Sequence, residues 1–298
     1  MQSEPPSSHS ATAAVRAAQS DAGTADTGLQ PGGLAATADP NRLYQRAVQC
    51  AEAEVNFLLD RFQRLRGRPA RLLREDFCGT AAVCCEWVAR DRRNRAIGVD
   101  IDPDVLDWAR VNNLAQLHEG AAERVSLHCG DVLSAETGDA DIIAAMNFSY
   151  WLFDRRASLL DYFRRVRALL ADDGVLFLDA YGGYDAFREI VEERTVEDDE
   201  GRFTYIWEQA SYNPISGAMR CHIHFAFADG SRLERAFSYQ WRLWTLPEIR
   251  ELLAEAGFRR VICYWQGWTE DDEADGVFEP AEQADADAGW ICYISAER

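Results

Sequence analysis

The stretch LLREDFCGTAAV, residues 72–83, decides how the chain is read. An apolar run ends in Glu75, a turn centred on Gly79 follows, and a helical apolar pattern then begins. Strand, turn and helix in that order are how α/β folds hold nucleotides. Yet the stretch carries one glycine where nucleotide loops carry two or three, with Phe77 and Ala81 standing where others would be. The dinucleotide pattern G-x-G-x-x-G is absent, and with it a phosphate cradle, which counts against an oxidoreductase.

The alternation continues on both sides. ARLLRE (70–75), RAIGVDI (95–101), VSLHCGDV (125–132), DIIAAM (141–146) and GVLFLDAY (174–181) read as strands separated by helices, one over roughly 155–170 and another announced by Asp102 as N-cap with Pro103 behind it. Short apolar strands joined by helical crossovers imply a parallel sheet covered on both faces. After Tyr181 the period changes to two. RFTYIWEQASY (202–212), AMRCHIHFAFA (218–228) and SRLERAFSYQWRLW (231–244) are separated by an NPISG turn and an Asp229-Gly230 hairpin signal. Thr245 and Glu248 form a capping box for a helix ending at Gly257, and RVICYW (260–265) and WICYISA (290–296) close the chain. The expected fold class is α/β: a doubly wound, mostly parallel seven-stranded sheet with an antiparallel three-stranded insertion after the fifth strand.

Residues 1–40 are rich in Ala, Ser, Thr, Gly and Pro and are expected to be a disordered tail. Residues 41–298 are expected to form one domain, opened by an amphipathic helix running from Asp39 past Leu59. It carries the β insertion at 185–244 and an acidic loop at 269–289 that has no basic residue. A chain of 298 residues with 47% hydrophobic content can bury a full core. Its formal charge of −19 argues against nucleic acid as a partner, since that affinity rests on clustered basic residues. No apolar run reaches the ~20 residues of a membrane span, and the N-terminus lacks the basic-then-apolar order of a signal peptide, so a cytoplasmic protein without membrane contact is expected. The eight cysteines form no C-x-x-C pair and read mostly as buried free thiols.

In an open parallel sheet, ligands bind beyond the carboxyl ends of the strands. Those ends carry Glu75 with the turn Cys78-Gly79-Thr80, then Asp100, Asp131 and Asn147. Three acids and an amide suit hydroxyl, amino and cationic groups better than a pyrophosphate. With these residues, the chain from about residue 42 to its end resembles the class I S-adenosylmethionine-dependent methyltransferases. EDFCGTA is similar to the family's E/D-x-x-C-G-T-G loop, with Phe77 and Ala81 in place of small or glycine positions. The resemblance implies S-adenosylmethionine as cofactor, with Glu75 near its methionine end and Gly79 allowing close approach of the loop Cys78–Thr80. It implies Asp100 on the ribose hydroxyls, Ile101 on the adenine ring, Asp131 and Val132 at the adenine amino group, and Asn147 bordering the methyl. Tyr44 is a weaker match.

Methyl transfer needs alignment, and it needs a base only when the nucleophile must lose a proton, so no catalytic base is assigned. Tyr150, Trp151 and Tyr181 are candidates for the acceptor wall. An insertion at this place in the family implies a lid over the acceptor or a homodimer contact, and its aromatic residues point to a small-molecule acceptor of apolar or aromatic character. Two alternatives stand beside it: a protein methyltransferase acting on a basic partner, and a non-catalytic cofactor-binding or scaffold protein. His222 and His224 share a strand face without a third ligand, so no metal is expected.

Overall fold

The computed structural model describes residues 33–268 and 274–298. Helices α1 (Pro40–Ala47) and α2 (Ala51–Arg66) precede β1 (Leu72–Asp76), α3 (Ala82–Arg90), β2 (Arg95–Asp100), α4 (Pro103–Asn112) and β3 (Val125–Cys129). Then follow β4 (Ala140–Ala145), α5 (Arg156–Leu169) and β5 (Leu170–Gly182). The insertion contributes β6 (Ile190–Asp198), β7 (Gly201–Tyr212), β8 (Ala218–Ala226) and β9 (Arg232–Arg242). The chain ends with α6 (Leu246–Glu255), β10 (Arg260–Trp268), β11 (Ala274–Pro280) and β12 (Trp290–Glu297).

The main sheet has the order β11-β10-β12-β5-β4-β1-β2-β3. Strands β1 to β5 run parallel, and β12 lies antiparallel between β5 and β10. Glu75 on β1 faces Gly98 of β2 on one side and Ala144 of β4 on the other, so the order reverses at β1 and a crevice opens beyond its carboxyl end. Alternate residues feed opposite faces. On β4 and β5, Ile143, Ala145, Leu176 and Leu178 enter one core, while Ile142, Ala144, Val175 and Phe177 enter the other with Phe62 and Trp87.

Four expectations are corrected. The insertion is a four-stranded sheet in the order β6-β7-β8-β9. The extra strand β6, IVEERTVED, is an edge with Glu193, Glu197 and Asp198 exposed and charged residues in place of apolar alternation, so it lacks the apolar signal of its neighbours. The main sheet has eight strands, because β11 lies inside the stretch expected to be an acidic loop. There Phe278 stacks on Tyr293 at 4.2 Å, and Arg61 reaches the Phe278 carbonyl at 2.7 Å and Glu279 at 2.9 Å. One ring and one guanidinium anchor a strand that its charge disguises; residues 269–273 of that stretch lie outside the described residues. The opening helix is two helices, interrupted at Val48–Cys50. Finally, residues 1–32 of the expected tail lie outside the described residues, but 33–40 are folded. Leu34 N donates to Asp229 Oδ2 at 2.8 Å and Ala35 N to Ser231 Oγ at 3.0 Å, at the β8–β9 hairpin tip.

The inner face of the insertion sheet, with Tyr205, Trp207, Cys221, Ile223, Tyr239 and Trp241, is buried against Phe148, Trp151 and Tyr181 of the main layer. This fixes the insertion over the carboxyl ends of β4 and β5.

Close packing under the first loop predicts a sensitive glycine. A Cβ on Gly98 would stand 2.7 Å from Cys78 Sγ and 2.9 Å from Leu127 Cδ2. Gly98→Ala is expected to cost about 1–3 kcal/mol as an overpacked core, read as a lower urea midpoint with unchanged slope.

Candidate functional site

The loop after β1 is left-handed at every second residue: Phe77 (φ 59°), Gly79 (φ 50°) and Ala81 (φ 55°). Glycine adopts this conformation freely, whereas a side chain there costs roughly 1–2 kcal/mol. The loop is held by Cys78 N donating to the Val99 carbonyl (3.0 Å), Ala81 N to the Cys78 carbonyl (2.8 Å) and Gly79 N to Asp100 Oδ2 (2.8 Å). The Phe77 ring packs near Phe153 and Tyr162, with ring centroids 6.2 and 5.8 Å away. Phe77 and Ala81 therefore follow the backbone path of a glycine loop while carrying side chains. A Cβ on Gly79 would meet nothing within 4 Å, so the backbone faces open space there.

That space is a cavity of about 340 Å³ at the switch point. Of the residues singled out in the sequence, Glu75, Cys78, Gly79, Thr80, Asp100, Asn147 and Tyr44 line it. Ile101, Asp131 and Val132 are not in the lining. Ile101 is 57% exposed. Asp131 is also exposed, its carboxylate accepts from Leu133 N at 2.9 Å, and Val132 is buried with its carbonyl taking Arg74. Tyr150, Trp151 and Tyr181 also lie outside the lining. Tyr150 and Trp151 are fully buried, Tyr150 Oη donates to the Asp179 carbonyl at 2.7 Å, and Tyr181 Oη donates to Gln209 Oε1 at 3.2 Å. Tyr181 faces a second cavity of about 370 Å³ beside Trp244 and Trp290. His222 bonds Ser238 Oγ at 2.8 Å and His224 bonds Glu208 at 2.9 Å; no metal-binding group was found among the described residues.

Sequence reasoning missed the cover of the cavity. Asp39 and Asn41 at the start of α1, Gln49 from the break between α1 and α2, Asp104 and Trp108 from α4, and Phe237 and Tyr239 from β9 all line it. Trp108 Nε1 donates to Asp39 Oδ2 at 2.5 Å, and Gln45 Nε2 and Gln49 Oε1 both meet Thr80 Oγ1, at 3.0 and 3.1 Å. Asp102 was legible as a helix cap, and it caps α4 while also facing the cavity.

The electrostatics are one-sided. Asp39, Glu75, Asp76, Asp100, Asp102 and Asp104 line the cavity, and among the described residues no Arg or His does. Burial pushes Glu75 up to about 7, although Cys84 N donates to it at 3.1 Å. Burial also raises Asp100, against the pull of donors on Asp102 and Gly79, and raises Asp76 despite Arg74 Nε at 2.6 Å and Tyr162 Oη at 3.0 Å. Buried carboxylates with spare lone pairs are a cation and hydroxyl site.

A family model described as a methyltransferase domain matches residues 76–178, from the end of β1 into β5. That match spans about a third of the chain. The chain's fold is that of the class I S-adenosylmethionine-dependent methyltransferases. Among solved structures it is similar to the amino pentose methyltransferase CalS10 from Micromonospora echinaspora, described as S-adenosylmethionine bound and involved in calicheamicin biosynthesis. The two are 17% identical with a TM-score of 0.62, over 87% of this chain and 96% of that one. The sugar N-methyltransferase KedS8 from Streptoalloteichus sp. ATCC 53650 is 16% identical with a TM-score of 0.60, over 94% and 99% of the two chains. DesVI from Streptomyces venezuelae is 17% identical with a TM-score of 0.60, over 85% and 95%. No curated protein matches the chain by sequence.

Glu75 sets a pH dependence with a definite sign. Its ordinary value is 4.5 and its folded value about 7, so between them the folded state holds a proton that the unfolded chain has released. Stability therefore falls as pH rises through that window. Glu75→Gln keeps an oxygen for Cys84 N and removes the ionisation. It is expected to be more stable than the wild type at pH 8 by on the order of 3 kcal/mol and nearly equal at pH 4, measured as urea midpoints at both.

Proposed function

We propose that the protein transfers a methyl group from S-adenosylmethionine to an amine nitrogen on a small-molecule acceptor with an apolar or aromatic body. The observation that carries this reading is the cavity lining, six carboxylates without a cation, which favours a sulfonium cofactor and an amine. The sugar N-methyltransferase and amino pentose methyltransferase among the similar structures support an amine on a small molecule, and the aromatic lining supports its apolar or aromatic body.

S-adenosylmethionine is the cofactor, and when bound it supplies an electrophilic methyl on sulfur. The donor set fits it. Each oxygen of Asp100 accepts one backbone N–H, Gly79 at 2.8 Å and Asp102 at 3.0 Å, which leaves lone pairs for the ribose hydroxyls. Glu75 would take the amino end of the methionine, and the open face of Gly79 would allow close approach. Asn147 would stand at the reacting end, and Tyr44, Phe237 and Tyr239 supply aromatic faces to the same cavity. Residues at the start of α1 cover part of it. The work left to the chain is alignment, which can account for ~7–11 kcal/mol of a barrier. An amine attacks as the neutral base, so no residue is assigned as general base.

Two experiments test this. Thermal unfolding is measured with S-adenosylmethionine, S-adenosylhomocysteine, NAD and ATP. A ligand at 100 times its Kd stabilises by about 2.7 kcal/mol, and only the two sulfur ligands are expected to do so, with Asp100→Ala abolishing the shift. The preference for the cationic sulfonium over the neutral product is expected to grow from pH 6 to pH 8, as Glu75 gains its charge. Stabilisation by neither sulfur ligand would overturn the reading. Second, labelled S-adenosylmethionine is offered with aminosugars, aromatic amines, phenols and basic peptides. Label on the amines supports the proposal, label confined to peptides transfers it to a protein acceptor, and cofactor binding without label on any acceptor favours a non-catalytic binding protein.

A further inference from the structure

At the end of β4 the chain makes two consecutive left-handed residues, Asn147 (φ 62°) and Phe148 (φ 54°), neither of them glycine. Each costs roughly 1–2 kcal/mol, so a conformation of this kind persists only where its surroundings hold it. The holder is on the neighbouring strand. Leu178 of β5 pairs with Ala145 of β4, and the next residue, Asp179, reaches past the end of β4. Its Oδ2 accepts Asn147 N at 2.7 Å and its Oδ1 accepts Phe148 N at 2.8 Å, so each oxygen is committed to one strained residue. Tyr150 Oη ties down the Asp179 carbonyl at 2.7 Å, and the Phe148 ring is wedged 4.8 Å from Tyr181 and 5.3 Å from Trp151.

We propose that Asp179 is the positioning residue of the transfer site: its carboxylate clamps the left-handed Asn147–Phe148 turn and so sets where Asn147 stands in the cofactor cavity. Asp179 is 4% exposed and does not line that cavity, whereas Asn147 does, so Asp179 acts through Asn147. The proposal rests on the methyltransferase reading of the site. It also makes the clamp a matter of protonation. A carboxylate accepts at both oxygens with its full charge, whereas the hydroxyl oxygen of a neutral carboxyl is a weaker, uncharged acceptor whose proton needs a partner of its own. Burial holds Asp179 at about 7. The titratable groups around it are Tyr44 of α1, Glu54 of α2, Tyr150, and Cys292 and Tyr293 of β12, none of them a cation. Below that pH the clamp loosens.

The test uses the free full-length protein. The amide resonances of Asn147 and Phe148 are followed by NMR from pH 5 to 9. Both are expected to lie downfield at high pH and to move upfield together with one midpoint near 7, and Asp179→Asn should abolish that titration. In Asp179→Asn the ratio of affinities for S-adenosylmethionine and S-adenosylhomocysteine is expected to change at least threefold, with cooperative unfolding retained. Amides that do not titrate, or that titrate with separate midpoints, overturn the proposal, as does an unchanged affinity ratio in a folded variant. If Asp179→Asn does not fold, the wild-type titration still decides. Because that titration needs no ligand, its failure is distinct from a failure to bind the cofactor.

Discussion

Buried carboxylates at the ends of strands must find hydrogen-bond donors, and here they find them in the connections that leave the same end of the sheet. Asp100 of β2 takes Gly79 from the loop after β1, Asp179 of β5 takes Asn147 and Phe148 from the turn after β4, and Glu75 takes Cys84 from α3. Each bond satisfies a buried oxygen, and those of Asp100 and Asp179 brace one connection against another strand. Left-handed Phe77, Ala81, Asn147 and Phe148 are tolerated because this bracing surrounds them. Asp76 meets the same demand differently, through Arg74, which is fully buried and also holds the carbonyls of Val132 and Ala135 and the Thr137 hydroxyl.

Around this cross-braced rim the rest of the molecule forms a cover. All 31 basic residues are arginine, and several fasten the cover to the body. Arg46 grips Asp198 at 2.7 and 2.5 Å, and Arg42 pairs with Glu200, so α1 is tied to the β6–β7 turn. A planar guanidinium suits such two-point contacts better than an ammonium would. The opening helices thus bridge the main sheet and the insertion, with the cavity between them. Carboxyl groups raised by burial at the rim cost stability at neutral pH, the usual consequence of desolvating acidic groups in a ligand site.

The sequence was legible wherever one local pattern had one structural cause. Period-two and helical apolar patterns gave the strands and helices of the main layer, Asp102 and the Thr245–Glu248 box cap the expected helices, and the strand-end residues Glu75, Asp100 and Asn147 do meet at one cavity. It failed where polar composition concealed an ordered element. The edge strand β6 reads as charged coil, and β11 depends on Phe278 meeting Tyr293 across the sheet. Tyr150, Trp151 and Tyr181 follow a strand end as acceptor-wall residues would, but the insertion sheet packs on that face and buries them.

By itself the sequence determined the alternating α/β order and the polar residues at the strand ends, because each depends on spacing and side-chain type within a few residues. Only the tertiary structure decided that Phe77 and Ala81 keep a glycine-loop path, that residues from α1, α4 and β9 roof the cavity, and that Asp179 governs a turn more than 30 residues earlier in the chain. Those outcomes rest on contacts between segments far apart in sequence, and the physical reason they escape local pattern is that a buried charge is satisfied by whichever donor the fold brings within about 3 Å.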